Sequence, residues 1–526
     1  MGAGAGHGCW CTKTPGKNTG QGNGGQNKKG TGRIAHCKYQ PFGIMQRSAV
    51  QVKAGVGAFL LDHGAFIWHC CCGRVAEYAA GHSLALSTFN VQENTMRYLV
   101  IPSSLQGSGT VPSSKSHTMR AVLFASFAKG QSIIHNVLPS PDAVAMVAAC
   151  RALGAEIVEQ GSTLTIQGVG GCPRPPQNVI DVGNSGQVLR FVAALAALMP
   201  YYTVLTGDKS ICTIRPMQPL LEGLTQAGAF AVSTKDDGKA PIVVRGLARA
   251  AALEIDGSDS QPVSALLMLA AFLEGTTTIT VRNPGEKPWI GLTLHWLDMF
   301  GVRYTNDNFC QYTVTGPTAF NGFTYTVPAD WSSAAFPIAA ALVTRSEMTL
   351  ENVDFADPQG DKGVVEALEK MGAQFTREEG AKRLRVHGGV ALHGAELDVN
   401  TIIDAVPVLA AVACYASSPT TITGAAIARQ KESDRLHAIA TELGKMGARI
   451  EERPDGLVIH PAPLHGAHTT SYHDHRIAMA CAVAGLGASS PTTVHDVACV
   501  AKSFPGFAGI MQGLGANVAE VTGEDA

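Results

Sequence analysis

From Met96 onward, apolar residues fall at the spacing of amphipathic helices, and each helical stretch is followed by the shorter pattern of a strand. The same signature recurs where these helices end: an apolar residue, a glycine, and an alanine or valine. It occurs six times at near-constant spacing, at Leu153–Gly154–Ala155, Ala227–Gly228–Ala229, Phe300–Gly301–Val302, Met371–Gly372–Ala373, Met446–Gly447–Ala448 and Leu514–Gly515–Ala516. A glycine just past a helix adopts the left-handed cap conformation, after which the chain can enter a strand. The even spacing predicts a unit that is repeated six times.

Each repeat is long enough for two helices and about four strands. The period exceeds that of common solenoid repeats, which favours compact packing over an open superhelix. The pattern therefore predicts a mixed α/β protein with three units in each of two similar domains.

Polar or charged residues stand directly before the helices that are richest in alanine and leucine. The segments concerned are Lys115–Arg120, Asn184–Gln187, Asp259–Gln261, Asp330–Ser333, Asp404, Lys431–Arg435 and Asp474–Arg476. The free amides and the dipole of a helix N-terminus attract anions. Ordinary N-capping explains any single case, but Lys or Arg in several of these first turns favours a doubly or triply anionic ligand.

Composition narrows the classes of function. With 45% apolar and 16% charged residues, the chain has ample material for packed cores. Its formal net charge of −2 lacks the basic surplus of a general nucleic-acid binder. No apolar run reaches the ~20 residues of a bilayer span, since Val56–Trp68 is short and is interrupted by Asp62 and His63. We therefore predict a soluble protein that binds neither nucleic acid nor membrane.

The cysteines indicate a reducing compartment. Their number, 13, is odd, so they cannot all pair within the chain. The seven that follow Met96 are single and scattered, several of them in helical runs. We predict that these seven are reduced, buried thiols of a cytoplasmic protein.

The first 95 residues differ from the rest. Residues 1–33 are rich in Gly, Lys, Asn, Gln and Thr without an apolar period, and residues 34–95 show no repeating element. The segment is basic like a transit peptide, but it lacks the serine and arginine content of one. We predict that residues 1–95 are a disordered N-terminal extension or the product of a misassigned start, with Met96 as the natural initiator.

Six short motifs combine the charged residues at these helix starts. In chain order they are Ser113–Ser114–Lys115–Ser116–His117–Thr118–Met119–Arg120, Gly183–Asn184–Ser185–Gly186 with Arg190, Arg215–Pro216, Lys431–Glu432–Ser433–Asp434–Arg435, Asp474–His475–Arg476 and Ala501–Lys502–Ser503–Phe504–Pro505. In type and order they resemble the motifs of the EPSP synthase (3-phosphoshikimate 1-carboxyvinyltransferase) family. Each motif alone is weak, but all of them in this order are specific, and the resemblance covers about 97–522.

The resemblance implies a fold that agrees with the repeated period. It has two domains, each of three βαβαββ units that form an inside-out α/β barrel, with the active site in the cleft between them. Domain I would comprise residues 96–112 together with 329–526, and domain II would comprise residues 113–328.

Two crossovers join these domains. They lie near Pro112–Ser113 and Pro328–Asp330, and we predict that they are hinges, because two bound anions must be brought together by domain closure. We assign Asp330–Trp331–Ser332–Ser333 to the second crossover and not to the chemistry.

The resemblance also implies the reaction. An enzyme of this family transfers the enolpyruvyl group of phosphoenolpyruvate to the 5-hydroxyl of shikimate 3-phosphate, and releases phosphate from a tetrahedral intermediate. No metal and no cofactor are implied, and the chain carries neither a P-loop nor a Rossmann fingerprint. We expect a monomer whose partners are the two small-molecule substrates, with space at Gly186 for a phosphonate inhibitor such as glyphosate.

The resemblance assigns roles residue by residue. The residues expected to bind shikimate 3-phosphate are Lys115, Ser116, Arg120, Ser260, Gln261, Asp404 and Lys431. Those expected to bind phosphoenolpyruvate are Lys115, Gly186, Arg215, Arg435, Arg476 and Lys502. The expected catalytic residues are Lys115, Asp404, which takes the proton of the attacking hydroxyl with help from Lys431, and Glu432, which donates a proton to the methylene carbon.

These residue types suit that chemistry. Arginine holds carboxylates and phosphates bidentately and stays charged, and a cluster of cations offsets the repulsion between two anionic substrates. Glu432 must be protonated near neutral pH to act as an acid, so its pKa must be raised. Burial in a closed cleft raises that pKa and neighbouring cations lower it, so the balance depends on the tertiary structure.

Three positions depart from the family pattern. Asp259 stands where the family usually has a serine, and Glu286 stands where a phosphate-binding serine is common. Ile427 replaces an asparagine that often contacts the substrate. A glutamate at position 286 would repel phosphate unless it turned away or paired with Lys287. These departures concern the phosphate pocket and not the reaction.

Other functions stay open on the sequence. The enolpyruvyl transferase that acts on UDP-N-acetylglucosamine has a reactive cysteine before its Arg-Pro, and Cys212 precedes Arg215, although two residues too close. A non-catalytic anion-binding protein on the same scaffold would have lost Lys115, Asp404 or Glu432, and all of these are present. An enzyme that processes nucleic-acid 3′-phosphates would need a basic surface, which a net charge of −2 does not provide.

Overall fold

The computed structural model describes residues 96–523 throughout, and of the preceding chain only the backbone of two short strands. These strands, β1 (Phe66–Cys70) and β2 (Arg74–Tyr78), pair antiparallel and belong to a unit formed by residues 1–91. Apart from them, the predicted extension over residues 1–95 lies outside the described residues. Residues 92–526 form a second compact unit.

The second unit alternates strands and helices along its length. Its elements up to residue 326 are β3 (Arg97–Ile101), β4 (Ser108–Thr110), α1 (Lys115–Phe127), β5 (Lys129–His135), α2 (Pro141–Ala152), β6 (Glu156–Gln160), β7 (Thr163–Val169), β8 (Ile180–Asp181), α3 (Gly186–Ala196), β9 (Thr203–Thr206), α4 (Lys209–Thr213), α5 (Gln218–Gln226), β10 (Phe230–Ser233), β11 (Ile242–Arg245), β12 (Ala252–Asp256), α6 (Ser260–Ala270), β13 (Gly275–Arg282), α7 (Lys287–Met299), β14 (Arg303–Asp307), β15 (Gln311–Gly316) and β16 (Thr324–Thr326). The later elements are α8 (Trp331–Val343), β17 (Met348–Glu351), α9 (Gly363–Lys370), β18 (Phe375–Glu378), β19 (Arg383–Val386), β20 (Glu396–Asp398), α10 (Val406–Ala413), β21 (Thr420–Thr423), α11 (Arg435–Lys445), β22 (Arg449–Arg453), β23 (Gly456–His460), β24 (His468–Thr470), α12 (His475–Leu486), β25 (Thr492–His495), α13 (Phe507–Gly513) and β26 (Asn517–Val521). Short 3₁₀ turns lie at Gly360–Lys362, Glu379–Ala381, Ile403–Ala405, Ala426–Gln430 and Val497–Lys502. Among all these described elements, every helix falls short of the length and apolar character that crossing a bilayer requires.

The strands of residues 97–521 form six four-stranded sheets that share one topology. The strand orders are β16-β5-β7-β6, β8-β9-β11-β10, β12-β13-β15-β14, β4-β17-β19-β18, β20-β21-β23-β22 and β24-β25-β3-β26. In each sheet the first two strands of this order are parallel. The third and fourth strands join them antiparallel. This repeated sheet is the structural unit behind the repeated sequence signature.

The glycines of that signature have the conformation that the sequence predicts. All of them have positive φ, from 67° at Gly301 to 104° at Gly154. Glycine adopts this left-handed region without the steric cost that a Cβ imposes. Each glycine therefore ends one helix of a unit and sends the chain into the following strand.

Two sets of helices are buried over nearly their whole length. Helices α1, α3 and α6 lie in an apolar core formed by residues 119–327. Helices α8, α10 and α12 lie in another, formed by residues 98–111 and 329–518. A helix that is apolar all round has to be surrounded by other elements, so the sheets lie outside these helices. The predicted mixed α/β fold with two domains is confirmed.

The chain passes twice between these two cores, and the two crossing segments lie side by side. Ser113 and Ala329 form an isolated antiparallel bridge. The backbone N–H of Ser114 donates to the carbonyl of Pro328 at 2.7 Å. The two segments predicted to be hinges are therefore hydrogen-bonded to each other.

The cysteines of residues 96–523 are all free, but they are not all buried. Cys150, Cys414 and Cys481 lie in helices or at a helix end and are buried. Cys212 and Cys499 are half-buried, and Cys172 and Cys310 are exposed, so the prediction of seven buried thiols is confirmed at three positions only. Both exposed cysteines follow a strand in a connecting turn, where no packed element covers the side chain.

Candidate active site

One pocket is lined by all 13 residues that the family resemblance assigns to the site. Five further residues line it as well, namely Asp142, Gln187, Glu286, Trp289 and His475. Seven of the lining side chains are lysine or arginine and four are carboxylates, so the pocket has a surplus of positive charge. Such a surplus favours ligands that carry several negative charges.

The pocket is built largely from the first turns of helices. Ser114, Ser185 and Asp259 cap α1, α3 and α6, each by accepting a backbone N–H two or three residues further on. Asp434 and Asp474 cap α11 and α12 in the same way. The residue after each cap begins the helix and faces the pocket, where the helix dipole and free N–H groups favour anions.

Glu432 lies among three cations. Its Oε1 lies 2.8 Å from Nη2 of Arg215 in an ion pair and accepts a hydrogen bond from Lys502 at 2.7 Å, and its Oε2 accepts from Arg435 at 2.7 Å. Burial alone would raise the pKa of Glu432, but the charges of the three cations outweigh it and hold the pKa well below its ordinary value. In this arrangement Glu432 is ionised, so the raised pKa that a proton donor requires is not present.

Asp404 is held between two guanidinium groups. Its Oδ1 accepts from Arg435 at 2.6 Å and its Oδ2 accepts from Arg476 at 2.7 Å. Burial alone would raise the pKa of Asp404, but the charges of Arg476 and Arg435 lower it far below its ordinary value. The carboxylate does not cap α10, whose N-cap is Ala405 without a side-chain hydrogen bond. Asp404 is therefore an ionised acceptor with no local structural role.

Arg435 links the two candidate proton-transfer groups. It is the first residue of α11, its side chain is 1% exposed, and it contacts both Asp404 and Glu432. Its Nε also donates to Asp474 at 2.8 Å. These carboxylates raise the pKa of Arg435 above its ordinary value, although burial opposes them. The result is a permanently charged fork that holds both carboxylates at fixed positions beside each other.

Two positioning contacts were not predicted from the sequence. Arg476 donates to the hydroxyl of Ser332 at 3.0 Å, and Ser332 in turn donates to Asp330 at 2.5 Å. Lys502 donates to the backbone carbonyl of Asn184 at 2.8 Å. Ser332, assigned above to the crossover alone, therefore holds a site arginine. Two features of the sequence could have indicated these contacts: the polar first turn of α8, which contains Ser332, and the position of Asn184 within a site motif.

Glu286 lies at one end of the pocket and pairs with Lys431. Its Oε1 accepts from Lys431 Nζ at 2.5 Å, and its Oε2 accepts from the backbone N–H and the hydroxyl of Ser260 at 3.0 and 2.9 Å. Lys287 lies instead over the ring of Phe309, 5.8 Å from its centre. The alternatives that Glu286 turns away or pairs with Lys287 are both wrong, because its side chain reaches across to the start of α6.

Of the other two departures, Asp259 carries a charge and Ile427 does not. Asp259 caps α6 through the N–H of Gln261, and its Oδ2 lies 3.0 Å from Arg190. Burial alone would raise the pKa of Asp259, but the charge of Arg190 helps to lower it. Ile427 lies in a 3₁₀ turn, packs against the apolar core and does not line the pocket.

Arg120 has only neutral acceptors. Its guanidinium donates to Thr293 Oγ1 at 2.8 Å and to the carbonyls of Ser116 and Trp289 at 3.1 and 3.2 Å. Its hydrogen-bond partners within the described residues include no carboxylate, and burial lowers the pKa of Arg120 to about 9. A buried cation without a counter-ion is costly, so a ligand anion at this position would stabilise it.

Lys115 and Ser116 begin α1 on the wall of the pocket. Lys115 Nζ lies 3.8 Å from Asp142 of α2, and burial lowers its pKa although Asp142 opposes this. The hydroxyl of Ser116 accepts a long hydrogen bond from Gln187 at 3.4 Å. Both side chains are therefore held loosely and can turn to a ligand.

Gly186 is the first residue of α3, and the space beside it is narrow. A Cβ at this position would stand 2.9 Å from Nη1 of Arg190 and 3.4 Å from Oε1 of Gln261. Arg190 donates to that oxygen at 2.7 Å, so neither side chain is free to move away. The absence of a side chain leaves the start of α3 open to an oxyanion.

Cys212 and metal-binding clusters are the other candidate features. Cys212 lies in the short helix α4, its thiol donates to the carbonyl of Gly207 at 3.4 Å, and it does not line the pocket. This position gives no support to the reactive cysteine of the UDP-N-acetylglucosamine enzyme.

Among residues 96–523, no group of three or more His, Cys, Asp or Glu side chains is arranged to hold a metal ion.

Comparison with known proteins points to one family. Residues 99–511 match the family model of EPSP synthase (3-phosphoshikimate 1-carboxyvinyltransferase). A 3-phosphoshikimate 1-carboxyvinyltransferase of Ruminiclostridium cellulolyticum is 39% identical over 416 residues, which cover 79% of this chain and 98% of that protein. One of Chlamydia caviae is 41% identical over 427 residues, which cover 81% of this chain and 95% of that protein.

Solved structures agree with this result. The EPSP synthase of Acinetobacter baumannii superposes with a TM-score of 0.69 and 30% identity, over 81% of this chain and 100% of that one. The enolpyruvyl transferase NikO of Streptomyces tendae shares the fold alone, with a TM-score of 0.68 and 20% identity over 82% of this chain and 100% of that one. The residues matched by the family model include every residue that lines the pocket. The chain therefore belongs to the EPSP synthase family.

Proposed function

We propose that this chain transfers the enolpyruvyl group of phosphoenolpyruvate to the 5-hydroxyl of shikimate 3-phosphate and releases phosphate. Relatives that carry the name of this activity match the chain over nearly their whole length. The observation that carries the proposal is the guanidinium of Arg435, which joins Asp404 and Glu432 inside a pocket with surplus positive charge. Addition followed by elimination needs two proton-transfer groups between the binding sites of two anions.

The cations around Glu432 suit phosphoenolpyruvate. Arg215, Arg435 and Lys502 already converge on one carboxylate, so they can also hold the carboxylate and phosphate of this substrate. Arg476 and the open start of α3 at Gly186 add further donors. We infer that phosphoenolpyruvate binds here.

The opposite end of the pocket suits shikimate 3-phosphate. The residues that support this assignment are Ser116, Arg120, Ser260, Gln261 and Lys431, which line this end from α1, α6 and the segment before α11. Arg120 is a cation whose hydrogen bonds within the described residues all go to neutral acceptors, so an acceptor phosphate would supply its counter-ion. Lys115, which lines the pocket at the start of α1, would contact both substrates.

The proton transfers follow from the two carboxylates. Asp404 accepts the proton of the 5-hydroxyl while that oxygen attacks C2 of phosphoenolpyruvate, with Lys431 supporting the charge. Glu432 gives a proton to C3, and the methylene becomes the methyl group of a tetrahedral intermediate. In the second step Glu432 takes a proton back from the methyl group, the C2–O bond to phosphate breaks as the enol double bond forms again, and the proton held by Asp404 passes to the leaving phosphate.

Substrate binding changes the charge balance at Glu432. The cations that hold its pKa low are the same ones that would contact phosphoenolpyruvate. The negative charges of that substrate offset them, while burial continues to raise the pKa of the carboxyl. We infer that Glu432 takes up a proton only when phosphoenolpyruvate is bound, which matches the acid to its substrate.

Domain boundaries, assembly and location are part of the same proposal. The two apolar cores support domain I at residues 96–112 with 329–526, and domain II at residues 113–328. The paired crossovers support hinges at these boundaries.

The free thiols of the described cysteines support a reducing compartment, and we propose a monomer in the cytoplasm.

Release of phosphate from phosphoenolpyruvate by the purified full chain tests the function. Shikimate 3-phosphate and UDP-N-acetylglucosamine are compared as acceptors, with Asp404→Ala as the inactive variant and the exposed Asp455→Ala as its matched control. Turnover with shikimate 3-phosphate alone, lost only in Asp404→Ala, is expected. Turnover only with the sugar nucleotide would make this the rival transferase, and turnover with neither would indicate an anion-binding protein.

A further inference from the structure

The carboxylate of Glu286 accepts hydrogen bonds from two residues at the acceptor end of the pocket. Its two oxygens receive the ammonium of Lys431, the hydroxyl of Ser260 and the backbone N–H of Ser260. Glu286 is 1% exposed, so water does not share these contacts. These donors are thus engaged by an anion that belongs to the chain itself.

These donors are of the kind that bind phosphate. Ser260 is the first residue of α6, a helix of 11 residues, so its N–H points out of the positive end of a helix dipole. A hydroxyl and an ammonium converge on the same point. Ser260 and Lys431 are also the residues to which the proposed function assigns shikimate 3-phosphate. Glu286 therefore occupies the place that a substrate phosphate would take.

The position of Glu286 has no local explanation. It precedes α7 but makes no side-chain cap hydrogen bond there, unlike a Ser, Asn or Asp at such a position. Its backbone is left-handed, with φ 45° and ψ 39°, which is unfavourable for a residue with a Cβ. Its N–H donates to Asn400 at 3.2 Å, and the side chain is left to reach α6. Within the described residues, the side chain of Glu286 makes hydrogen bonds only with Ser260 and Lys431.

Asp259, the neighbouring acidic departure, does not act in the same way. It pairs with Arg190 at 3.0 Å and caps α6. Burial raises the pKa of Asp259, and the charges of Arg190 and then Lys431 lower it, so Arg190 is its main counter-ion. Among the described carboxylates, Glu286 alone accepts hydrogen bonds from Ser260 and Lys431, so it alone competes for these phosphate donors.

We propose that Glu286 competes with the acceptor's phosphate for Ser260 and Lys431 and so lowers the affinity of the site for the acceptor. This inference rests on the proposed function. When the acceptor binds, Glu286 must release both residues, and its negative charge then stands beside the phosphate. The residue therefore weakens the binding of shikimate 3-phosphate relative to a chain with a neutral side chain at this position. Phosphoenolpyruvate, which uses other residues, is not affected.

Binding of shikimate 3-phosphate to the full chain without phosphoenolpyruvate measures this directly. Calorimetric titration is carried out on the wild type, on Glu286→Ser and on Glu286→Gln, which keeps the size of the side chain without its charge. We expect Glu286→Ser to bind shikimate 3-phosphate roughly tenfold more tightly. We expect Glu286→Gln to lie between it and the wild type, since the amide still occupies the space. Thermal melting of each variant shows that the fold is retained.

Steady-state kinetics supplies the second measurement. The KM for shikimate 3-phosphate is expected to fall with the dissociation constant, while the KM for phosphoenolpyruvate stays within about twofold. The matched control is Glu274→Ser, which removes an exposed carboxylate outside the pocket and is expected to change neither value.

The outcomes separate this inference from the proposed function. Tighter binding in Glu286→Ser without phosphate release in any protein would leave the inference standing and remove the function. Phosphate release by the wild type, with unchanged or weaker binding in a folded Glu286→Ser variant, would overturn the inference alone. No binding of shikimate 3-phosphate to the wild type or to Glu286→Ser would overturn both.

Discussion

The imidazole of His117 lies 3.2 Å from the carboxylate of Asp357 and joins the start of α1 to the chain beyond the second crossover. On the other side of the ring, Nδ1 lies 3.2 Å from the indole N–H of Trp296 and 2.8 Å from the hydroxyl of Tyr325. An indole nitrogen can only donate, so Nδ1 is the acceptor and Nε2 carries the hydrogen that is donated to Asp357. The contacts fix the tautomer of a fully buried histidine two residues from Lys115.

Replacing this histidine is expected to destabilise the protein. His117→Ala leaves the indole N–H, the tyrosine hydroxyl and Asp357 without their shared partner, so we expect the free energy of unfolding to fall by about 3 kcal/mol. Urea denaturation measures the change. The control is His437→Ala, whose side chain is 64% exposed and whose loss is expected to have little effect. Equal stabilities of the two variants would show that the His117 network contributes nothing.

Glu432→Gln tests the proposed proton donor. The amide keeps the shape of the side chain but cannot give a proton to carbon, so we expect kcat to fall by roughly a thousandfold. The KM for phosphoenolpyruvate is expected to fall or stay unchanged, because Arg215, Lys502 and Arg435 lose a competing carboxylate. Incorporation of solvent deuterium at C3 of the substrate should disappear with activity. A kcat close to that of the wild type would assign the proton to another group.

Asp404 is expected to make stability depend on acid pH. A carboxyl whose pKa is lowered in the folded protein contributes its full stability above the unfolded pKa of about 3.9, and loses it as pH falls toward the folded pKa. Asp404→Asn should therefore lower the free energy of unfolding at neutral pH by about 2 kcal/mol, since its side chain is 21% exposed and faces two arginines.

The pH series decides this prediction. The difference between Asp404→Asn and the wild type should be constant from neutral pH down to about pH 4 and should shrink below it. Urea denaturation at several pH values gives both curves. A difference that grows as the pH falls would contradict the lowered pKa of Asp404.

Gly186→Ala is expected to act on phosphoenolpyruvate. The new Cβ would stand 2.9 Å from Arg190, which is fixed by Gln261, so the start of α3 would shift or the oxyanion would be pushed outward. We expect the KM for phosphoenolpyruvate to rise about tenfold, with a smaller change for shikimate 3-phosphate. Gly509→Ala in α13 is the control, because nothing lies within 4 Å of the position that its Cβ would take. Equal KM values in both variants would show that the site tolerates the methyl group.

The sequence predicts the repeated unit because its signals are local. A glycine that must be left-handed, as at Gly154, follows the last turn of a helix within a few residues. A cap such as Ser185 or Asp474 and the charged first turn after it are neighbours in the chain. Such short-range rules hold before any folding is considered, and together with the family motifs they identified the residues that gather around the pocket.

The contacts between those residues depend on the tertiary structure. Lys431 and Glu286 are 145 positions apart and Lys502 and Asn184 are 318 apart, so no spacing in the sequence relates them. Cys172 is likewise exposed because no packed element of the folded chain covers its side chain, and its position in the sequence does not show this.

The protonation of Glu432 is the clearest case. The residue type was evident from its motif, but its pKa is a sum of burial, which raises it, and of three cations from separate segments, which lower it. Each contribution varies with distance and with the surrounding dielectric, and these exist only in the folded chain. The sequence by itself therefore determined which groups are available for chemistry, and the tertiary structure decided their charges and partners.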